Sequence, residues 1–257
     1  MRLDRELVVD ERMLTGQTLE HLETWRDAAG ECLLHRAVIA PLRQLCGQAA
    51  AAGITLCVAS GFRSFERQLA IWNAKARGER PVLDDCGRPC AWEALDERQR
   101  VHAILRWSAL PGASRHHWGT DLDVWDRAAV DADYRLHLEP EEYAPGGPFH
   151  RLSVWLDAHL GGNSGFGRPY GGGQGVAAEP WHLSYLPHAA GFQRQLTPEL
   201  LRSTLAGTAL EFKQVVLAEL DDIYRRFIDI ANVDTGNVGA GNATAGDAAT
   251  GPLHRRD

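Results

Sequence analysis

The amino-acid sequence predicts a mixed fold that is rich in helices and poor in strands, and two patterns in the sequence support this. Apolar residues recur every three or four positions over residues 32–52 and again over residues 209–231, which indicates amphipathic helices. Residues 54–59 form a short run rich in β-branched side chains, which is typical of a buried strand. The 257 residues, 44% of them hydrophobic, suffice for one domain of upper-middle size or one domain with appendages.

The first third of the chain is predicted to be an irregular lead-in over residues 1–17, followed by helices over residues 19–29 and 32–52. Gly53 is a plausible cap for the second helix, and the strand of residues 54–59 follows it. Ser64 is a typical N-cap for a helix over residues 65–76 that Gly78 closes. This order places Arg63 on a strand-to-helix turn, where a guanidinium can face a cleft.

The middle of the chain alternates loops with short elements. Residues 79–92 form a loop that carries Cys86 and Cys90, whose spacing without a second pair is a poor zinc signal. They are expected to be two loop thiols, with a conditional disulfide as the alternative. Helices are expected over residues 93–107 and 149–160, and strands after residue 119 and over residues 179–185. Residues 127–148 and the glycine-rich residues 161–175 are expected to be loops beside a substrate cleft.

The C-terminal part is predicted to be helical and then unstructured. Pro198 follows the cap residue Thr197 and opens a short helix that reaches residue 205. The apolar stripe of the helix over residues 209–231 is expected to pack on the core, with a dimer seam as the alternative. The predicted organisation is a main domain over residues 1–205, a packed C-terminal helix over residues 206–232 and a disordered tail over residues 233–257.

Composition excludes several partners. With 27 Lys plus Arg against 34 Asp plus Glu, the formal net charge is -7, which gives no reason to expect nucleic acid or an anionic membrane. No apolar run approaches the roughly 20 residues of a membrane helix. The charged N-terminus lacks a leader pattern, so the expected location is the cytoplasm, and five cysteines agree weakly with reduced thiols.

The chemically richest stretch runs from Ser114 to Asp123, with two histidines, one glycine and two aspartates in ten residues. Further on, Glu179 and His182 add another carboxylate and another imidazole. Two imidazoles and one carboxylate can form a three-ligand site for catalytic zinc, which keeps a position open for water. The remaining carboxylate would then be free to act as a base.

Three ordered blocks of the sequence resemble the signatures of one enzyme family, the VanY-type D-alanyl-D-alanine carboxypeptidases of the LAS group of zinc peptidases. The S-x-H-x-x-G-x-A-x-D signature is matched except that Asp121 stands where alanine is usual. The blocks are Ser60-Gly61-Phe62-Arg63-Ser64 with Gln68, then Ser114-x-His116-x-x-Gly119-x-Asp121-x-Asp123, and finally Glu179-x-x-His182. Spread over about half of the chain, the three blocks together are far more specific than any one alone.

The resemblance implies an α+β fold, in which a small antiparallel sheet carries a zinc site and helices surround it, as in the hedgehog N-domain and D-Ala-D-Ala peptidases. The mixed pattern of elements is compatible with this fold but would not specify it.

The resemblance also implies residue roles. It makes His116, Asp123 and His182 the zinc ligands and Glu179 the catalytic base. Arg63 is expected to stabilise the oxyanion or hold the substrate. Ser114 is a candidate for holding the terminal carboxylate, and Gln68 a weaker candidate for substrate binding. His117 is expected to orient or pack, and Asp121 either orients a ligand histidine or is a solvated acid beside the strand.

The implied substrate is a peptidoglycan stem peptide from which a terminal D-alanine is removed. An expected cytoplasmic location favours an L,D-carboxypeptidase that trims tetrapeptide muropeptides during cell-wall recycling. A D,D-carboxypeptidase or dipeptidase, a phage-type endopeptidase and a non-catalytic zinc-binding or peptide-binding protein are the alternatives. The protein is expected to be a monomer or a dimer.

Overall fold

The computed structural model of this protein describes residues 9–84, 87–173 and 175–230. The expectations for Cys86 and for the tail of residues 233–257 lie outside the described residues. Within the described residues, one four-stranded sheet and one two-stranded hairpin are surrounded by helices. The predicted α+β class, with a small antiparallel sheet among helices, is confirmed.

The sheet has the strand order β3-β4-β6-β5, and each neighbouring pair is antiparallel. A separate antiparallel hairpin, β1–β2, precedes it in the chain. The strands are β1 (Leu22–Asp27), β2 (Gly30–His35), β3 (Leu56–Ser60), β4 (Asp121–Asp126), β5 (Phe166–Gly167) and β6 (His182–Tyr185).

Ten α-helices pack around the strands within the described part of the chain. They are α1 (Glu11–Leu14), α2 (Ile39–Ala51), α3 (Phe65–Ala76), α4 (Glu97–Trp107), α5 (Pro140–Tyr143), α6 (His150–His159), α7 (Leu186–Gln195), α8 (Pro198–Ala206), α9 (Lys213–Ala218) and α10 (Leu220–Ile223). A 3₁₀ turn, Arg115–Trp118, leads into β4, and a π-helical turn, Tyr224–Ile228, follows α10.

Two apolar clusters hold these elements together. One joins the sheet to α2 and α6 and includes Leu122, Val124 and Leu183. The other joins α3 and α4 to the C-terminal helices and includes Trp118, which is fully buried. Because β4 contributes to the first cluster and the turn before it to the second, the stretch from Ser114 to Asp123 lies where the two cores meet.

Several predicted elements are confirmed with small shifts of their ends. The strand predicted over residues 54–59 is β3, and Ser64 caps α3 through a hydrogen bond from the backbone N–H of Arg67. The helices predicted over residues 93–107, 149–160 and 198–205 are α4, α6 and α8. The loop-to-strand transition after Gly119 is β4.

The helix predicted over residues 19–29 is wrong, and so is the first part of the helix predicted over residues 32–52. These residues form the β1–β2 hairpin, in which Asp27 pairs with Gly30 at the turn. The hairpin is held by a distant part of the chain, since the N–H of His35 donates to the carbonyl of Gly119 at 2.8 Å. A tertiary contact of this kind overrides a local helical spacing.

The long helix predicted over residues 209–231 is interrupted. It consists of α9, α10 and the π-helical turn, and the break falls at Glu219, which forms ion pairs with Arg98 (2.7 Å) and His102 (2.9 Å) of α4. Its apolar residues Val216, Leu220, Ile223 and Phe227 belong to the second apolar cluster. The glycine-rich stretch contains β5, and α7 follows β6; neither element was predicted. Among the described residues, no helix has the length and apolar character needed to span a membrane.

Candidate metal centre

Three buried side chains converge where β4 and β6 lie side by side. One nitrogen or oxygen atom of each of His116, Asp123 and His182 lies within 4.8 Å of the other two. Nε2 of His116 is 3.4 Å from Oδ2 of Asp123, and Nδ1 of His182 is 3.2 Å from Oδ1 of Asp123. The residues that the sequence predicts as zinc ligands are thus brought together.

Strand register explains this convergence. Asp123 is the cross-strand partner of His182, and Asp121 is the partner of Ser184. Because successive side chains point to opposite faces, these four polar residues share one face. The intervening pair, Leu122 and Leu183, lies in the apolar cluster on the other face.

His116 reaches the site from the 3₁₀ turn, and the turn depends on Gly119. This glycine has φ +67° and ends the turn. A Cβ atom built there would lie 2.6 Å from Cδ2 of Leu22 and 2.7 Å from the backbone nitrogen of His35. Only glycine satisfies both the left-handed backbone and the close approach of the hairpin.

Hydrogen bonds on the far side of each imidazole determine which nitrogen faces the site. Nδ1 of His116 is 2.8 Å from the carbonyl oxygen of Gly61, so it carries the proton and leaves Nε2 as a lone-pair donor. Nε2 of His182 lies 3.0 Å from Oδ1 of Asp121, so it donates there and leaves Nδ1 as the lone-pair donor. Such outer partners orient the imidazole ligands of metal sites.

The donor atoms fit a metal cation. Oδ1 of Asp123 and Nδ1 of His182 are buried and have no hydrogen-bond partner among the described residues, although burying an unpaired polar atom is costly. A cation that both atoms coordinate would remove this cost. Two imidazoles and one carboxylate are a donor set of catalytic zinc sites, so the site fits Zn²⁺.

Electrostatics favour a positive charge at the same point. Burial by itself would lower the pKa of His182, yet the neighbouring carboxylates of Asp121, Asp123 and Glu179 raise it well above its usual value. Burial would raise the pKa of Asp123, but His116 and His182 hold it well below its usual range. Three carboxylates around one imidazole therefore attract either a proton or a metal cation.

Asp121 is fully buried, so its interpretation as a solvated acid is wrong. Besides its contact with His182, its Oδ1 accepts a hydrogen bond from Nε of Arg115 at 2.7 Å. Its Oδ2 accepts from the hydroxyls of Thr120 (2.8 Å) and Ser184 (3.1 Å). Burial opposes ionisation, but Arg115 and His182 lower the pKa of Asp121 to about 2. This ionised, fixed carboxylate is suited to orient His182.

Glu179 lies at the edge of the three-residue cluster. Its Oε2 is 3.3 Å from Nδ1 of His182, and its side chain is 15% exposed. It also lines a cavity of about 350 Å³ that contains the three predicted ligands. A carboxylate in this position can exchange a proton with a molecule held between it and the cluster.

Arg63 also lines the cavity, and Gln68 holds it in place. The guanidinium donates to Oε1 of Gln68 at 2.9 Å and to the hydroxyl of Ser60 at 3.3 Å. Gln68 is fully buried, and its Nε2 donates to the carbonyl of Ala109 at 2.6 Å. Since both polar ends of Gln68 are engaged, the geometry favours positioning of Arg63 over direct substrate contact.

Ser114 and His117 have different surroundings. Ser114 lines the cavity, and its hydroxyl makes no hydrogen bond to any other described residue, so it can donate to a ligand. His117 is fully buried and bonded at both nitrogens, to the carbonyl of Arg63 (2.6 Å) and from the N–H of Gly112 (3.0 Å). Burial lowers the pKa of His117 to about 3, so it remains neutral and packs rather than titrates.

Sequence reasoning missed three residues of this site. Arg115 supports Asp121, the ring centre of Tyr170 is 4.7 Å from that of His182, and Lys75 lines the cavity. Arg115 lies inside the stretch from Ser114 to Asp123, which was a signal of its position, but its pairing with Asp121 follows from the burial of that carboxylate, which the sequence does not show. Tyr170 and Lys75 lie in segments that match no motif, so no comparable signal existed for them.

Comparison with known proteins agrees with the geometry. The family model described as "VanY: D-alanyl-D-alanine carboxypeptidase" matches residues 31–188, which is more than half of the chain. Two proteins of Haemophilus influenzae, each described as an uncharacterized protein, are similar in sequence. One is 36% identical over 122 residues, which are 46% of this chain and 92% of the relative. The other is 43% identical over 99 residues, which are 38% of this chain and 68% of the relative.

Solved structures that are similar to this chain include VanYB in complex with D-Alanine-D-Alanine, with 22% identity and a TM-score of 0.45 over 73% of this chain and 90% of that chain. Another is the LdcB LD-carboxypeptidase, with 22% identity and a TM-score of 0.43 over 64% of this chain and 66% of that one. The family match covers all three sequence blocks that form the site. The chain belongs to the VanY family of D-alanyl-D-alanine carboxypeptidases.

Proposed function

We propose that this protein is a zinc-dependent carboxypeptidase that releases the terminal D-alanine from peptidoglycan stem peptides. The observation that carries the proposal is the pair of buried, unpartnered donor atoms on Asp123 and His182 beside the carboxylate of Glu179. A pure binding protein has no need of this second carboxylate at the edge of the donor set.

Metal binding is assigned to His116, Asp123 and His182. A zinc ion held there would supply Lewis acidity, which lowers the pKa of water and polarises a peptide carbonyl. Asp121 binds Nε2 of His182 and thereby directs Nδ1 at the site, and the carbonyl of Gly61 binds Nδ1 of His116 and directs Nε2 there. These partners preorganise the donors before any substrate arrives.

The side chains around the three metal-binding candidates have separate roles in the proposed reaction. Glu179 accepts a proton from the attacking water and then delivers it to the amine of the departing D-alanine, a task worth about 10²–10⁴ in rate. Arg63, fixed by Gln68 and Ser60, stabilises the oxyanion, and loss of such a donor typically costs about 10²–10³. Ser114 donates its free hydroxyl to the terminal carboxylate.

Of the two candidate bonds, we favour the L,D bond of a tetrapeptide stem, which would suit an enzyme that recycles wall fragments in the cytoplasm. The second candidate is the D,D bond of a pentapeptide stem, which the family description favours. A mass-spectrometric digest of both muropeptides by the zinc-loaded protein separates them. Loss of alanine from the tetrapeptide supports the first, and loss from the pentapeptide that stops at the tetrapeptide supports the second.

The assigned base is tested by Glu179→Gln. We expect this variant to bind zinc as the wild type does, because Glu179 is not among the three donors, and to lose activity by at least about 10²-fold. A matched control is Glu219→Gln, whose side chain is similarly shielded (20% exposed) but lies outside the cavity lining; it should retain activity. Near-normal turnover by Glu179→Gln would show that another group is the base.

A further inference from the structure

One basic residue that lines the cavity, Lys75, has no role in the proposed mechanism. The chain contains 27 basic residues, of which only Lys75 and Lys213 are lysines. Lys213 lies outside the cavity lining and donates to the carbonyls of Ala206 (3.2 Å) and Thr208 (2.9 Å). Lys75 lines the same cavity as the three metal-binding candidates and makes no hydrogen bond or ion pair with any described residue.

The helix α3 explains how Lys75 reaches the cavity. Lys75 lies seven residues after Gln68 on this helix, which is two helical turns. The two side chains therefore share a face and are about 10 Å apart along the axis. Gln68 holds Arg63, so the same face of α3 supports one cation of the cavity and carries another. The two cations therefore occupy different places along a single wall.

The surroundings of Lys75 make its charge costly. Burial lowers its pKa to about 8; Glu179 opposes this shift, whereas Arg80 and Arg63 add to it. A partly buried ammonium that makes no hydrogen bond to a described residue loses solvation, and the charge of Glu179 offsets this loss only in part. An anion that enters the cavity would supply the missing interaction.

We propose that Lys75 is the counter-ion of a substrate carboxylate and thereby selects anionic peptides. The inference rests on the proposed function, because a carboxypeptidase substrate always carries a carboxylate next to the scissile bond. Ser114 can add a neutral hydrogen bond, but it cannot balance the charge. A second source of the same chemistry is a carboxylate on a side chain within the stem peptide, and the experiment below distinguishes the two.

The first test compares three variants by steady-state kinetics. Lys75→Met keeps the length of the side chain and removes the charge, and we expect KM to rise by about 10- to 100-fold with little change in kcat. Lys75→Arg should retain most of the affinity. Lys213→Met is the matched control for loss of a lysine and should leave KM unchanged.

Amidated substrates identify the carboxylate. If Lys75 pairs with the terminal carboxylate, a substrate amidated at its C-terminus should bind equally weakly to the wild type and to Lys75→Met. A substrate amidated at its internal carboxylate should still show the difference in KM between the two proteins. The reverse pattern would assign Lys75 to the internal carboxylate. The inference would be overturned if Lys75→Met had an unchanged KM. It would also be overturned if this variant raised KM equally for both amides and for the unmodified substrate. In either case the carboxypeptidase activity would stand.

A second test does not depend on turnover. Because the chain has only two lysines, reductive methylation near pH 8 followed by peptide mass spectrometry measures the extent of modification of each lysine separately. N-acetyl-D-alanine and the stem peptides should protect Lys75, but not Lys213, in the Glu179→Gln protein, and N-acetyl-D-alanine amide should not. If the wild type cleaves no stem peptide but N-acetyl-D-alanine still protects Lys75, the proposed function fails and the carboxylate site stands. Absence of protection by every carboxylate would refute the site.

Discussion

Asp121 is the residue at which this chain departs from the signature of its family, and the structure gives the departure a physical role. Its carboxylate connects His182 to Arg115, Thr120 and Ser184 in a fully buried network. A fixed anion behind an imidazole raises its basicity and determines its tautomer. The extra aspartate should therefore strengthen metal binding without touching the metal.

We expect Asp121→Asn to weaken zinc binding by about 10- to 100-fold, measured by competition with a chromophoric chelator. The side-chain shape is kept, but the negative charge that fixes His182 and balances Arg115 is lost. The matched control is Asp126→Asn on the same strand, where a buried carboxylate accepts from the N–H groups of Thr55 (2.9 Å) and Ala128 (3.0 Å). If both variants bind zinc equally well, Asp121 is only a structural acid.

At the residue scale, sequence patterns and family resemblance singled out side chains that lie together in the structure. His116, Asp123 and His182 converge, with Glu179 beside them, and their roles stay a prediction. The burial of Asp121 could not be predicted, because alternation along a strand does not say how tightly the neighbouring face is covered. Lys75 could not be predicted either, because its place depends on how α3 lies against the cavity.

At the scale of elements, the β1–β2 hairpin contributes most that local patterns missed. Residues 19–29 mix apolar and polar side chains at a spacing that also suits a helix, and only the pairing of β1 with β2 decides between the two. The elements with strong local punctuation were predicted correctly, among them α3 after Ser64 and α8 after Thr197. The π-helical turn after α10 has no such punctuation.

The hairpin packs against α7 through three imidazoles. The ring centre of His35 is 5.6 Å from that of His21 and 5.3 Å from that of His188. Burial, His188, His21 and Arg36 together lower the pKa of His35 to about 4, and burial also lowers the pKa of His21 and of His188. Aromatic rings of Phe62, Phe192 and Tyr185 surround the cluster, and Glu20 opposes the shift of His21.

This interface predicts a loss of stability in acid. Between pH 6.5 and about 4 the unfolded chain binds a proton at His35 that the folded protein excludes, so stability falls as pH falls through this window. The slope is at most about 1.4 kcal/mol per pH unit for each excluded proton. Urea unfolding of metal-free protein should show a shallower slope for His35→Asn than for the wild type.

The matched control for that experiment is His159→Asn, which replaces an exposed histidine on α6 and should leave the slope unchanged. Asparagine at position 35 can still accept the hydrogen bond that Ala37 donates to Nδ1 of His35, so the local turn is preserved. Equal slopes in all three proteins would mean that His35 gains a proton in the folded state as readily as in the unfolded chain.

At the scale of the whole molecule, the metal centre joins parts of the chain that fold from distant segments. His116 comes from the turn that packs with the C-terminal helices, whereas Asp123 and His182 come from neighbouring strands of the sheet. A ligand that binds only this arrangement stabilises the folded state by mass action. Metal binding and the docking of the two apolar clusters are therefore expected to be coupled.

Thermal unfolding tests this coupling directly. Zinc at 100 times its Kd should add about 2.7 kcal/mol, and since about 1 kcal/mol shifts Tm by roughly 2–4 °C in a chain of this size, Tm should rise by roughly 5–10 °C. A chelator should reverse the rise, and His182→Ala should abolish it. His102→Ala is the control, because this histidine lies on α4, where it pairs with Glu219 away from the donor set, and its loss should leave the zinc-dependent rise intact. A zinc-dependent rise that survives in His182→Ala would place the stabilising metal elsewhere in the chain.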